Sequence, residues 1–128
     1  MERSHQLGDL QHAIMRVLWD RGEATVAEVH KALLDQGQRA LTTIATMLTK
    51  MEKKGVVTHR SEGRQYVYSP TVSEAEVTRT MVSDLLEKLF EGDATAMVGH
   101  LLQEQEIDQS ELERLRNLIA DRKRGGKA

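Results

Sequence analysis

Four threonines share one short segment with an apolar stripe. Residues 41–55 read LTTIATMLTKMEKKG, and the apolar side chains recur every three or four positions, which predicts a buried helix face. That face consists of Ile44, Met47, Leu48 and Met51. Threonine is a mediocre helix former, but its hydroxyl can hydrogen-bond a base edge or a phosphate, and its methyl can pack on a thymine methyl. Thr42, Thr43 and Thr46 lie off the stripe, which suits a helix that contacts DNA or, more plainly, one that faces solvent.

Basic side chains concentrate around this segment. Residues 38–70 include six basic and two acidic residues, a local net charge of +4, although the whole chain has a net charge of −2. Residues 73–113 include eleven acidic and two basic residues, a net charge of −9. A basic region of this kind suits a polyanion such as DNA. We expect phosphate contacts from five side chains: Arg39, Lys50, Lys53, Arg60 and Arg64.

Other kinds of chemistry find no support in the sequence. The absence of cysteine excludes disulfides and thiolate metal sites. The five histidines lack the three- or four-residue spacing of paired metal ligands, and no serine lies in a glycine-flanked elbow. There is no glycine-rich phosphate loop. We therefore predict that the chain is not an enzyme and has no catalytic residues, no metal and no cofactor.

Three helices and a β-hairpin are predicted to position the threonines and the basic residues. The periodicity indicates a first helix over about 8–20, and a capping box at Thr25–Glu28 begins a second helix that ends at Gly37. The threonine-rich segment is the third helix and ends at Gly55. The alternating stretches VVTHR and RQYVYS then flank the turn SEG and predict a hairpin. This order is that of a winged helix-turn-helix, whose third helix enters the major groove while the hairpin contacts the flanking backbone.

The second half of the chain is predicted to be entirely helical. Capping boxes at Ser73–Glu76 and Ser110–Glu113 begin a fourth and a sixth helix, and a break at Gly92-Asp93 precedes a fifth over about 94–104. Three amphipathic helices of this size bury too little surface to be stable alone, so we expect them to pair with a second copy of the chain. The predicted contacts are Met81, Leu85, Leu86, Leu89, Met97, Leu101, Leu112, Leu115 and Ile119.

The predicted fold is therefore mainly α with a small β-hairpin, in two domains. Residues 1–71 form the winged helix-turn-helix, and residues 72–128 form a helical dimerisation domain. A two-fold dimer would place two third helices about one DNA turn apart, on an inverted repeat. The alternative to a dimer is that the later helices fold back on the first domain. The acidic region 73–113 would then lie close to the negatively charged DNA, which is unfavourable.

Four stretches of the sequence are similar to a known family. In order and spacing, LGDLQHAIMRVLW, TVAEVHKAL, LTTIATMLTKMEKKGVV and GRQYVYSP resemble the penicillinase-repressor (BlaI/MecI) family of bacterial transcription regulators, from about Leu7 to Ile119. The resemblance implies a homodimeric repressor on a short palindrome of the TACA/TGTA type. It also implies base contacts from Thr42, Thr43, Ala45 and Thr46.

The resemblance further implies a proteolytic switch that is linked to β-lactam resistance. In some members of the family, a membrane sensor peptidase detects β-lactam, and a cut then follows within the dimerisation region. By similarity of AMVGHLLQEQEI to that region, the bond here is His100-Leu101.

The location and the inducing signal are less constrained by the sequence. No apolar run approaches the roughly 18 residues that a membrane span needs, and the N-terminus lacks the apolar core of a signal peptide, so we expect a cytoplasmic protein. Two other functions stay open. One is a ligand-sensing winged-helix regulator with an effector pocket between its domains, and the other is a protein-binding adaptor.

Overall fold

The computed structural model describes residues 6–125, which fold as a mainly helical chain with one small sheet. The helices are α1 (Asp9–Arg21), α2 (Val26–Ala32), α3 (Leu41–Lys54), α4 (Glu74–Phe90), α5 (Ala94–Glu104) and α6 (Gln109–Gly125). The strands are β1 (Ala24–Thr25), β2 (Val57–Glu62) and β3 (Gln65–Pro70). The order of elements up to β3 confirms the predicted winged helix. Among residues 6–125, no helix combines the length and the hydropathy that crossing a lipid bilayer requires.

Two of the predicted capping boxes form and begin their helices as expected. At α2, the Thr25 hydroxyl accepts the Glu28 amide at 3.1 Å, and the Glu28 carboxylate accepts the Thr25 amide at 2.8 Å. Ser73 and Glu76 make the same reciprocal pair before α4. At the end of α3, Gly55 adopts a left-handed conformation with φ of 92°, which a side chain would strain. These local signals therefore determine where three helices begin or end.

The predicted cap of the sixth helix, Ser110, is wrong by two residues, because Asp108 has that role. The Glu111 amide donates to the carboxylate of Asp108 at 2.9 Å, and the Ser110 hydroxyl donates to the same carboxylate at 3.2 Å. The carboxylate of Asp108 thus caps the helix and places a negative charge at its positive end, and α6 begins at Gln109. The second helix is also shorter than predicted. It ends at Ala32, and a 3-10 turn, Leu34–Gln36, fills the space before Gly37.

The sheet has three antiparallel strands in the order β1-β3-β2. The hairpin pairs β2 with β3 from Val57 opposite Pro70 to Glu62 opposite Gln65. The short β1 pairs with the other edge of β3, with Ala24 opposite Tyr68. The sequence analysis expected only the two hairpin strands, because a two-residue strand is too short to show an alternating pattern.

One hydrophobic core holds α1, α2, α3 and the hairpin together. Its fully buried members include Ile14 and Leu18 from α1, Val29 from α2, and Leu48 from α3. Val77 of α4 joins this core and is also buried. The chain divides into two compact units, one reaching Asp84 and one beginning at Leu85. The first turns of α4, which follow the predicted domain boundary at residue 71, thus pack with the winged helix.

Candidate nucleic-acid interface

Helix α3 presents three threonines to solvent because its apolar face is fixed in the core. Ile44, Leu48 and Met51 are buried, and Met47 packs against the same core. The side chains of Thr42, Thr43 and Thr46 are exposed, and Ala45 beside them is half-buried. These four side chains therefore form one polar surface that a major groove can accommodate.

The fourth threonine of the segment has a different role. The Thr49 hydroxyl donates to the carbonyl of Ala45, one turn earlier, at 3.1 Å. It also lies close to the phenol of Tyr68 on β3. Burial, and then the charge of Glu52, raise the pKa of Tyr68 above its ordinary value. Thr49 thus lies where α3 meets the hairpin, although its side chain is exposed.

Four of the five predicted phosphate contacts are exposed basic side chains at the edges of this surface. Lys50 and Lys53 lie toward the end of α3, and Arg64 lies at the turn of the hairpin. Arg39 lies just before α3, and its backbone carbonyl is 2.8 Å from Nε2 of His30. Its guanidinium donates to the Gln36 carbonyl at 3.5 Å. Together they place positive charge before, along and beside α3.

The fifth predicted phosphate contact, Arg60, is engaged within the protein. Its guanidinium donates from Nη2 to Glu23 and from Nη1 to Glu62, each at 2.9 Å. The hydrogen bond with Glu62, followed by the charge and hydrogen bond of Glu23, raises the pKa of Arg60. Lys54 is similarly occupied, because its ammonium donates to the Gln6 carbonyl at 2.5 Å and to the Gln11 side chain at 3.0 Å.

A histidine holds the hairpin against α3. Nδ1 of His59 lies 2.7 Å from a carboxylate oxygen of Glu52, and its ring stacks on Tyr66 with centroids 4.1 Å apart. Tyr68 is buried, and its ring centroid lies 5.4 Å from that of the same histidine. The sequence does not reveal the pairing of Glu52 with His59, since six residues, Gly55 among them, lie between the two and no periodic signal links them.

The helices after Leu85 expose most of their apolar side chains. Every residue from Leu85 to Gly125 is at least partly exposed, so these helices have no buried core of their own. The most exposed members of the predicted dimer surface are Leu89 and Ile119, at 67% and 60%. Leu85, Leu101 and Leu112 are also exposed, and Leu86, Met97 and Leu115 are half-buried. Met81 differs, because it packs against the core of the first unit.

Comparison with known proteins identifies the family. The penicillinase repressor family matches residues 7–121. The chain belongs to this family. A BlaI transcriptional regulator from Mycobacterium tuberculosis is 32% identical over 127 residues, which cover 98% of this chain and 91% of that protein. The penicillinase repressor of Bacillus licheniformis is 28% identical over 123 residues, with 96% of both chains covered.

A solved structure of a penicillinase repressor resembles part of this chain. It is the solution structure of the monomeric form of Bacillus licheniformis BlaI in complex with the blaP half-operator, with 34% identity and a TM-score of 0.50. The match covers 59% of this chain and 93% of that one. The penicillinase repressors are transcriptional regulators and not enzymes, so this chain is a regulator as well.

The bond predicted as a cleavage site lies inside a helix. His100-Leu101 falls within α5, and both side chains are exposed. The His100 ring makes an edge contact with Phe90 at the end of α4, with centroids 5.9 Å apart. Cleavage at this bond therefore requires α5 to open locally, since a protease needs an extended segment of backbone.

Proposed function

We propose that this chain represses transcription as a homodimer that binds an inverted-repeat operator, with α3 in the major groove and the hairpin against the flanking backbone. The observation that carries the proposal is the surface of α3. Its apolar face is buried in the core, while Thr42, Thr43 and Thr46 are exposed between basic side chains. A rigidly held helix with short polar side chains and flanking positive charge suits base recognition in DNA.

We assign two kinds of contact to this surface. Thr42, Thr43, Ala45 and Thr46 contact base edges, through hydroxyl hydrogen bonds and through methyl groups on thymine. Phosphate contacts come from Arg39, Lys50, Lys53 and Arg64, which are exposed. The half-operator complex of the Bacillus licheniformis repressor supports this use of the first unit. The TACA/TGTA palindrome is the operator expected from the family resemblance.

The second unit is proposed to form the dimer in the cytoplasm. Its helices expose Leu85, Leu89, Leu101, Leu112 and Ile119 and bury no residue completely. Transferring this apolar surface out of water contributes about 25 cal/mol per Å², and a second copy of the same helices offers a matching surface. A dimer also makes the second half-site contact intramolecular, which raises the affinity for an inverted repeat far above that for one half-site.

Release from DNA is proposed to follow a cut at His100-Leu101 by a membrane sensor peptidase or a protease that it controls. The cut separates α6, with Leu112, Leu115 and Ile119, from α4. The dimer then loses much of its apolar area, and the two half-sites are no longer bound together. The winged helix itself stays intact, because its core includes only residues up to α4.

The salt dependence of binding tests the DNA contacts. The full chain is titrated with a duplex that contains an inverted TACA/TGTA repeat, and with a scrambled duplex, over a range of salt concentrations. Four exposed basic side chains in each of two subunits predict a slope of log K against log salt of about −7. A slope of about −2 or shallower, or equal affinity for both duplexes, contradicts the proposal.

A further inference from the structure

Arg60 lies on the face of the hairpin that points away from α3. Successive side chains of a strand point to opposite faces of the sheet. His59, the preceding residue, contacts Glu52 of α3 at 2.7 Å, so its face of β2 is the one packed on the recognition helix. Arg60 is therefore on the opposite face, where it meets Glu23 and Glu62.

The Arg60 side chain spans the whole width of the sheet. Arg60 is on β2, at one edge, and Glu23 immediately precedes β1, at the other edge. The residue directly opposite Arg60 on the middle strand is Val67, which is buried. The guanidinium reaches past β3 to Glu23, a residue 37 positions earlier in the chain, at 2.9 Å. This contact ties the hairpin to the segment that joins α1 to α2.

The two carboxylates also make a phosphate contact by Arg60 unfavourable. The guanidinium would exchange two charge-assisted hydrogen bonds for one phosphate group. Glu23 and Glu62 would then face a phosphate backbone with their own charges unpaired, and like charges repel. Arg64, at the turn of the same hairpin, has no ion pair among the described residues and is free of this competition.

We propose that Arg60 is a positioning residue for DNA binding and not a phosphate contact. It holds the hairpin at the angle at which Arg64 meets the backbone while α3 occupies the groove. The inference rests on the proposed function, because the hairpin must first be shown to contribute to DNA binding. Arg60 and Glu23 are each about half exposed, so the pair stabilises the hairpin position modestly and leaves the fold intact.

A charge exchange distinguishes positioning from phosphate binding. In Arg60→Glu, three carboxylates face one another and the hairpin loses its connection to β1. In the double variant Glu23→Arg/Arg60→Glu, the introduced arginine again faces two carboxylates across the sheet. We expect Arg60→Glu to lower affinity for the inverted-repeat duplex about tenfold, and the double variant to return to within about threefold of the unmodified chain. The single variant Glu23→Arg completes a double-mutant cycle. The cycle measures the free energy of interaction between positions 23 and 60 directly.

The salt slope supplies a second readout, which a purely structural role leaves unchanged. Arg64→Ala should have a slope that is shallower by about 2, since a dimer loses two phosphate contacts. Arg60→Ala should flatten the slope by no more than that, and adding it to Arg64→Ala should flatten the slope no further, because Arg60 acts through Arg64. The inference is overturned if Glu23→Arg/Arg60→Glu binds as weakly as Arg60→Glu, or if Arg60→Ala flattens the slope further in the Arg64→Ala background. Failure of the proposed function is a separate result, in which the unmodified chain itself shows a shallow slope or no preference for the inverted repeat.

Discussion

Leu89 offers the sharpest test of the proposed dimer. It lies near the end of α4, and its side chain is 67% exposed, so truncating it removes little from the core of a single chain. Leu86, one turn earlier, is half-buried. A substitution there could destabilise the single chain as well as the dimer, so the two effects would not be separated. We therefore choose Leu89→Ala as the perturbation.

The expected effect follows from the apolar area that Leu89 has left to bury. Full burial of a leucine side chain contributes about 1.5–3 kcal/mol, and two-thirds of that is available in each of two subunits. Leu89→Ala should therefore weaken the dimer by about 2–4 kcal/mol. That corresponds to a rise in the dimer dissociation constant of about 30- to 900-fold.

Sedimentation equilibrium over a range of protein concentrations measures this constant. The matched control is Leu34→Ala, because Leu34 is also an exposed leucine, at 46%, but lies in the first unit and outside the proposed dimer surface. The control should leave the dissociation constant unchanged. If Leu89→Ala behaves like Leu34→Ala, the end of α4 is not in the interface. If the unmodified chain sediments as a monomer at micromolar concentration, the dimer itself is refuted.

Three further predictions concern base contact, the switch and pH. Thr46→Ala should weaken binding to the inverted-repeat duplex by about 1–3 kcal/mol and barely change binding to a scrambled one. Thr49→Ala, the same substitution on the same helix, should not discriminate between the duplexes, and equal losses for both variants would contradict the groove assignment. A chain that ends at His100 should keep a folded winged helix and weak non-specific DNA binding but sediment as a monomer, and full operator affinity would exclude this bond as the switch. Because burial raises the pKa of Tyr68, the free energy of unfolding should fall as pH rises above about 10, where the phenol ionises in the unfolded chain first. Denaturant titrations of Tyr68→Phe should show a smaller fall, and an identical pH dependence would argue against this origin.

Local sequence signals are sufficient for most of the secondary structure of this penicillinase repressor. The capping residues Thr25 and Ser73 act on amides three positions away, and Gly55 acts through its own backbone, so tertiary structure is not needed to recognise them. The same holds for the apolar stripe of α3, whose spacing alone indicates which side is buried. The stripe in turn identifies Thr42, Thr43 and Thr46 as the exposed side, and the structure agrees.

Contacts between distant residues depend on the tertiary structure. The strand β1 exists because the edge of β3 has unpaired backbone groups beside it.

For the basic residues too, the sequence indicates the charge and the tertiary structure determines its partners. Composition counts Arg60 and Arg64 as equal positive charges, yet the fold brings Glu23, 37 residues away, onto Arg60 and leaves Arg64 at the turn. Periodicity likewise placed Met81 on the dimer surface, while the packing of α4 turns it toward the core of the first unit. The sequence by itself determined which side chains can bind a polyanion. The tertiary structure decided which of them are free to do so, because an ion pair depends on distance in space and a sequence pattern records only distance along the chain.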